Sequence, residues 1–247
     1  MATEPATQTL ETDDRLLGGR VRLTQPRAGY RAAIDPILLA AAVPAKKGQS
    51  VLDLGAGTGA VSLCLSARVA GLSVTALERQ PDVVDLCQRN VAANDLAGAI
   101  RVHAADLVPL PGSLEASFDH VVANPPFLGR REGTRPPDVS RAAAHADAEL
   151  SDWLEAAHRA LVPKGWLTMI HRADRYDRIV TGLAGRFGAI TLIPLWPRQG
   201  IAAKRVIVRA RKGVRSPGEL DAGLVLHDDQ GGFSKAALAV LRDMAPI

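Results

Sequence analysis

An α/β fold, with a mostly parallel sheet covered by helices on both faces, is predicted for this chain of 247 residues. Three observations predict it. From residue 50 onward short apolar runs alternate with segments of helical periodicity. Seven of the runs have strand character, and the first of them leads into the glycine-rich stretch "VLDLGAGTGAV".

The elements follow in order. In the leading block "RLLGGRVRLTQPRAGYRAAIDPILLAAAVP", the first half reads as a hairpin. Asp35-Pro36 then reads as an N-cap and first-turn proline opening an Ala/Leu helix. "SVLDL" (50–54) is the first core strand, and "AVSLCLSARVA" has helical character. "LSVTALE" (72–78) is the second strand. The helix after it has Pro81 in its first turn and Val83, Leu86, Cys87 and Val91 at helical spacing. "AIRVHAAD" (99–106) and "FDHVVANPP" are the third and fourth strands. "SDWLEAAHRALVPKG" is a helix with Ser151 as N-cap and a Pro/Gly stop. "WLTMIHR", "AITLIPLWP" and "KRVIVRARK" complete seven strands, and "SKAALAVLRDM" closes the chain as a helix. The expected organisation is a disordered tail (1–14) and one domain (15–247). Within it, 15–45 form a hairpin and helix extension and 46–247 the core.

Composition narrows the function classes. The apolar fraction of 47% supports a sizeable core. No run reaches the roughly 18 apolar residues that span a bilayer, and the polar, acidic N-terminus lacks the features of a signal peptide. A cytoplasmic protein without membrane contact is expected. Cys64 and Cys87 read as free core thiols, and the six histidines show no metal-binding spacing, so no metal is expected. Net charge is +4 with a pI near 9.4. Basic residues concentrate in "GRREGTR" and "KRVIVRARKGVR", where the bland reading is a solvated face and the functional one a contact to phosphates.

The glycine loop lies between the first core strand and its helix, at the carboxyl edge where open α/β sheets bind ligands. Gly55, Gly57 and Gly59 let backbone approach a ligand closely, and with Ala60 they also satisfy a dinucleotide pattern. Glu78, ending the second strand, suits a ribose in either case. Two acids favour S-adenosylmethionine (SAM): Asp53, placed to hold an ammonium group, and Asp106, placed to accept from an adenine amino group. For each acid alone, loop capping is a fair alternative. The expected cofactor set is Asp53, Gly55, Ala56, Gly57, Gly59, Glu78, Arg79, Ala105, Asp106 and Asn124.

The fourth strand ends in "NPPF", residues 124–127. The Asn124 side-chain oxygen and a prolyl carbonyl are acceptors only. They suit the two N–H hydrogens of a weakly nucleophilic aromatic amine, aiming its lone pair at a methyl donor. Pro125 and Pro126 fix the turn, and Phe127 suits stacking on a planar substrate. The alternative is an ordinary structural turn with a core phenylalanine. Asn124, Pro125, Pro126 and Phe127 are the expected catalytic residues.

"LDLGAGTG…E…D" resembles the class I SAM-dependent methyltransferases, and "NPPF" resembles the (N/D)PP(Y/F/W) signature of amino-methyltransferases. With "LTQPRAGYRAAIDPILLAAAVP" and "GLVLHDDQGGFSKAALAVL", nearly the whole chain after the tail is similar to the bacterial tRNA(Val) adenine-N6 methyltransferase family. The resemblance implies a Rossmann-like methyltransferase fold, SAM as cofactor and a tRNA partner, methylated at the anticodon-loop purine. It also makes Arg31 and Asp35, in the segment that in related enzymes folds back over the cofactor, second-rank cofactor candidates, with helix capping the alternative for Asp35. Arg130, Arg131, Arg135 and Arg141, and a second set of Lys204, Arg205, Arg209, Arg211 and Lys212, are then candidate phosphate contacts. Alternation along a strand puts about half of the second set on one surface. Rival readings are the same chemistry on a protein glutamine, another RNA adenine or DNA; a non-catalytic SAM- or RNA-binding protein; and a nicotinamide oxidoreductase. Monomer and homodimer stay equally open.

Overall fold

A computed structural model describes residues 11–27, 33–126 and 139–247, with the backbone alone over 139–149. The chain begins with a hairpin of β1 (Glu11–Leu16) and β2 (Val21–Pro26), paired antiparallel from Glu11↔Pro26 to Leu16↔Val21. Residues 11–14 were expected in the tail and instead form most of β1. The acids find partners there: Arg89 donates to Glu11, the Thr24 hydroxyl to Asp13 and the Gln25 side-chain amide to Asp14. Residues 1–10 lie outside the described part.

The core then alternates as expected: α1 (Asp35–Ala42), β3 (Ser50–Leu54), α2 (Ala60–Arg68), β4 (Ser73–Glu78), α3 (Pro81–Ala93), β5 (Ile100–Ala104) and β6 (Phe118–Ala123). After these come α4 (Val139–Ala160), β7 (Leu161–Arg172), α5 (Tyr176–Leu183), β8 (Phe187–Trp196), β9 (Arg205–Lys212), β10 (Glu219–Leu220), β11 (Leu224–Val225) and α6 (Lys235–Asp243). The sheet order is β10-β8-β9-β7-β6-β3-β4-β5, with β11 also on β8. Pairings from β7 through β5 are parallel, and β9 runs antiparallel between β7 and β8. All seven expected core strands are present. The two additional ones, β10 and β11, are two residues each, too short to carry a period. Gly223 lets this strap lie against β8, since a Cβ there would sit 2.1 Å from the Pro194 carbonyl oxygen.

Strands buried on both faces read as continuous apolar runs, and β3 shows why. Val51 joins the core under the hairpin, α1, α2 and α6, whereas Leu52 and Leu54 join the second core under α4 and α5. Asp53, on the Val51 face, is therefore driven inside, to 1% exposure. Cys64 and Cys87 are free and buried, as expected.

Two helix starts differ from expectation. The α4 helix begins at Val139, so Ser151 lies within it and caps nothing. The Ala-rich run 142–148 has high helix propensity and extends the helix N-terminally, overriding the local Ser signal. Asp35 is not the N-cap of α1: that residue is Ile34, with Asp35 and Pro36 inside the first turn. By contrast, Ser234 caps α6 as its hydroxyl accepts from the Ala237 amide.

The hairpin is fastened by side chains of α3. Asn90 Oδ1 accepts from the Thr24 amide (2.8 Å), while its Nδ2 donates to the carbonyls of Thr24 (2.9 Å) and Thr58 (3.0 Å). Asn94, four residues on, does the same for Arg22, accepting from its amide and donating to its carbonyl. The two asparagines thus take the place of a third strand along the edge of β2.

Candidate active site

The carboxyl ends of the parallel strands carry the expected site in one row. The loop after β3 has Gly55, Gly57 and Gly59 in left-handed conformations (φ +60°, +57°, +87°). Gly55 is doubly required. Its φ disfavours a side chain, and a Cβ would come within 2.4 Å of the Trp153 ring of α4. The loop is held by backbone bonds from Ala56 to the Leu77 carbonyl and from Gly59 to that of Ala56.

Glu78, at the end of β4, is 6% exposed. Its Oε2 accepts from the Gly57 amide (3.0 Å) and its Oε1 from the amides of Arg79 and Gln80 (2.9 Å each). A single carboxylate thus joins the glycine loop to the β4 turn. Beside it lies a cleft of about 680 Å³ lined by Arg79, Gln80, Pro81, Val84, Asp85 and Ala104–Asp106. Arg79, Ala105 and Asp106 were expected there. Pro81, Val84 and Asp85 were not, because α3 reads on sequence only as a packing helix.

Asp106 pairs with Arg79 Nη1 at 2.9 Å and accepts from the Val108 amide. Desolvation raises its carboxyl, but the Arg79 bond and the backbone donors lower it further, and the net shift is downward. It is ionised at neutral pH and partly occupied by Arg79, so a ligand amino group would share or displace that guanidinium.

Asp53 lies beneath the loop. Its Oδ2 accepts from the Ser62 hydroxyl (2.7 Å) and amide (3.1 Å), bracing the first turn of α2, a partner that sequence spacing did not single out. Burial raises the Asp53 carboxyl most, the Ser62 bonds lower it and the nearby Glu78 charge raises it, leaving it at about 7. An acid raised from 3.8 contributes stability that is lost as pH climbs from about 4 towards 7. Asp53→Asn retains an acceptor for Ser62. It is expected to stabilise the ligand-free protein at pH 8 by roughly 4 kcal/mol, at 1.36 kcal/mol per pH unit. The gain should shrink as pH falls towards 4. Thermal melts of both proteins across that range check this, and a pH-independent difference would assign the effect elsewhere.

Asn124 follows Ala123, which pairs with Leu54, so the turn after β6 adjoins Gly55 across the strands. The Asn124 side-chain oxygen is buried, Pro125 is buried and Pro126 exposed. Phe127, Arg31, Arg130, Arg131 and Arg135 lie outside the described residues, as does the side chain of Arg141. Asp35 reaches the same edge but is ion-paired with Arg205 Nε at 3.1 Å, closing α1 against the start of β9. This pairing, rather than capping, is what the structure shows for it. His171, near the end of β7, is held down to about 4, chiefly by burial, and is neutral at pH 7.

The second basic set divides. Arg205, Arg209 and Arg211 share one face of β9, and Lys212 is on the other, donating to the Leu161 carbonyl. Arg211 lies over the Trp166 ring (5.0 Å) near the opposite sheet edge. Only Lys204 and Arg205 adjoin the row that carries Asn124. Among the described residues there is no cluster of three or more His, Cys, Asp or Glu that could hold a metal ion. No described helix is long and apolar enough to cross a membrane.

Known proteins share this arrangement. The chain is 26% identical over 227 residues to a tRNA1(Val) (adenine(37)-N6)-methyltransferase of Actinobacillus succinogenes, covering 91% of this chain and 94% of that one. It is 29% identical over 180 residues to a protein of the same name from Glaesserella parasuis, covering 70% and 73%. A crystal structure from Agrobacterium tumefaciens, described as a "predicted O-methyltransferase", superposes with a TM-score of 0.72 at 26% identity, covering 86% of this chain and 97% of that one. The model of the methyltransferase small domain family matches residues 33–194. That span takes in the glycine loop, the Glu78 cleft and the Asn-Pro-Pro turn, and the chain belongs to this family of SAM-dependent methyltransferases.

Proposed function

We propose that the protein transfers the methyl group of SAM to N6 of an adenine in tRNA, at the anticodon-loop purine of a valine tRNA. The observation that carries the reaction class is the placement of Asn124 and Pro125 next to Gly55, at the end of the strand that neighbours the glycine loop. SAM supplies an electrophilic methyl group. The cleft beside Glu78 has the volume and the polar groups for its nucleoside half: a buried carboxylate to accept from ribose hydroxyls, with Asp106 and Arg79 at the rim for adenine. Asp53 is placed to favour an ammonium group nearby, and its contribution grows as pH rises through about 7.

An aromatic amine needs orientation more than a base. The oxygen of Asn124 and a prolyl carbonyl accept its two hydrogens, favour a pyramidal nitrogen and direct its lone pair at the methyl carbon. The nitrogen becomes acidic once methylated and sheds one of its two hydrogens as a proton to water, so neutral, buried His171 is not required as a base. Phe127, next in sequence, is assigned to stack on the extruded base. An oxygen acceptor, as in the description of the Agrobacterium protein, would leave one of the two carbonyl acceptors without a hydrogen to take.

The tRNA assignment is supported by the names of the relatives that cover most of both chains. Anticodon-loop bases are already unpaired and cost little to extrude. The test is mass spectrometry of valine tRNA transcripts after incubation with the protein and SAM. N6-methyladenosine is expected at the purine 3′ of the anticodon and is expected to vanish when that adenine is replaced by guanine. Methylation elsewhere, or none, would overturn the assignment.

A further inference from the structure

Four large apolar side chains are at least half exposed among the described residues: Val108 (53%), Tyr176 (54%), Ile201 (50%) and Leu220 (76%). Three of them lie on the carboxyl edge that carries Asn124. Val108 follows β5, Tyr176 is the first residue of α5 just beyond β7, and Ile201 is in the loop between β8 and β9. Chance scatter would spread them around the surface. Tyr176 and the 197–204 loop are joined, since the Ala173 amide donates to the Lys204 carbonyl (3.1 Å).

The charges around them are sorted by sign. Asp174 is bound by Arg172, Asp177 lies 3.7 Å from Arg178 Nε, and Asp35 is paired with Arg205. These three acids are matched by cations, while Asp228 and Asp229 are exposed beyond the Pro197 end of the loop, where the His227 amide donates to the Pro197 carbonyl. Arg198 and Lys204 are exposed and form no ion pair among the described residues. An exposed ring joined to a loop that carries two exposed cations, one strand away from the Asn124 turn, has the make-up of a stacking platform for single-stranded nucleic acid. A protein partner would meet the same apolar groups but would leave the cations unanswered unless it were acidic.

We propose that Tyr176 stacks on a nucleotide flanking the methylated adenine, with Ile201 packing beside it and Arg198 and Lys204 contacting the adjoining phosphates. This rests on the RNA reading above and adds the residues that hold the strand. It also replaces the distant part of the β9 basic set, Arg209 and Arg211, as the source of RNA contacts. Because Tyr176 stands apart from the reacting atoms, it acts on binding and leaves the chemical step unchanged.

The experiment is fluorescence anisotropy with a labelled stem-loop RNA carrying the anticodon loop of valine tRNA, using the full chain and its Tyr176→Ala, Tyr176→Phe and Lys204→Ala variants. Tyr176→Ala is expected to weaken RNA binding between about 5- and 150-fold, the range covered by loss of one base–aromatic stack. Tyr176→Phe should stay within about twofold of the parent, since it keeps the ring. Lys204→Ala should flatten the salt dependence by about 0.7 in log–log slope, one phosphate's share. In turnover assays Tyr176→Ala should raise KM with kcat retained, and SAM affinity by calorimetry should be unchanged, which excludes misfolding. If Tyr176→Ala binds RNA as the parent does, this proposal fails while the RNA reading stands. If the parent itself binds no RNA, both fail. A shift of Tyr176→Ala in oligomeric state, with RNA affinity intact, would make the surface a contact between protein chains and likewise overturn the proposal.

Discussion

Asn124→Ala should retain SAM binding within a few-fold of the parent and lose turnover by about 10²- to 10³-fold, the loss seen when one preorganised polar contact to a reacting group is removed. The separation of the two effects follows from position. The cleft proposed for the cofactor is built from the ends of β4 and β5 and the start of α3, while Asn124 follows the end of β6 and is proposed to offer its oxygen to the acceptor. Isothermal calorimetry with SAM, paired with single-turnover methylation of valine tRNA, checks both halves. Equal turnover in parent and variant would remove Asn124 from the chemistry and with it the reason for assigning an amine acceptor.

Gly55→Ala should abolish measurable SAM binding and lower stability by about 1–2 kcal/mol for the left-handed backbone alone, with a further loss from the clash. The added methyl group would meet the Trp153 ring at 2.4 Å, so either the indole or the loop must shift. A companion variant separates the two causes. Gly55→Ala combined with Trp153→Ala removes the clash but keeps the φ cost of +60°, so it should recover part of the stability lost in Gly55→Ala relative to Trp153→Ala. Chemical denaturation of all four proteins measures this. Strict additivity would mean that the ring yields freely and that the closeness of Trp153 does not constrain the loop.

Most of the architecture was legible because its signals are local. The apolar runs, the glycines at 55, 57 and 59, and the Asn-Pro-Pro end of β6 declare strand, turn and strand end within a few residues. What was not legible depends on contacts between distant segments. Trp153 is an ordinary amphipathic-helix residue by pattern, and nothing within α4 reveals that it faces Gly55. Asp35 before a proline looks like a cap, but Arg205, far along the chain, claims its carboxylate. Ser151 looked like a helix start because its own signal is strong, whereas the helix is set by the Ala-rich stretch before it. The β9 basic run shows the limit of charge counting. Alternation turns Lys212 to one face, and length carries Arg211 to the far edge over Trp166, so adjacency in sequence does not become one surface.

The asparagines of α3 give the N-terminal hairpin a part in cofactor affinity without touching the cofactor. Asn90 holds Thr24 of the hairpin and Thr58 of the glycine loop with one amide group. Detaching the hairpin frees that amide from Thr24 and loosens the side chain that also braces Thr58, so hairpin and loop are coupled through Asn90. A ligand that orders the loop pulls the same equilibrium from the other side, so binding free energy at the cleft is expected to be stored partly as protection of the hairpin. On this view the hairpin acts as a remote spring on the glycine loop, and its looseness or firmness sets how much of the intrinsic affinity is realised.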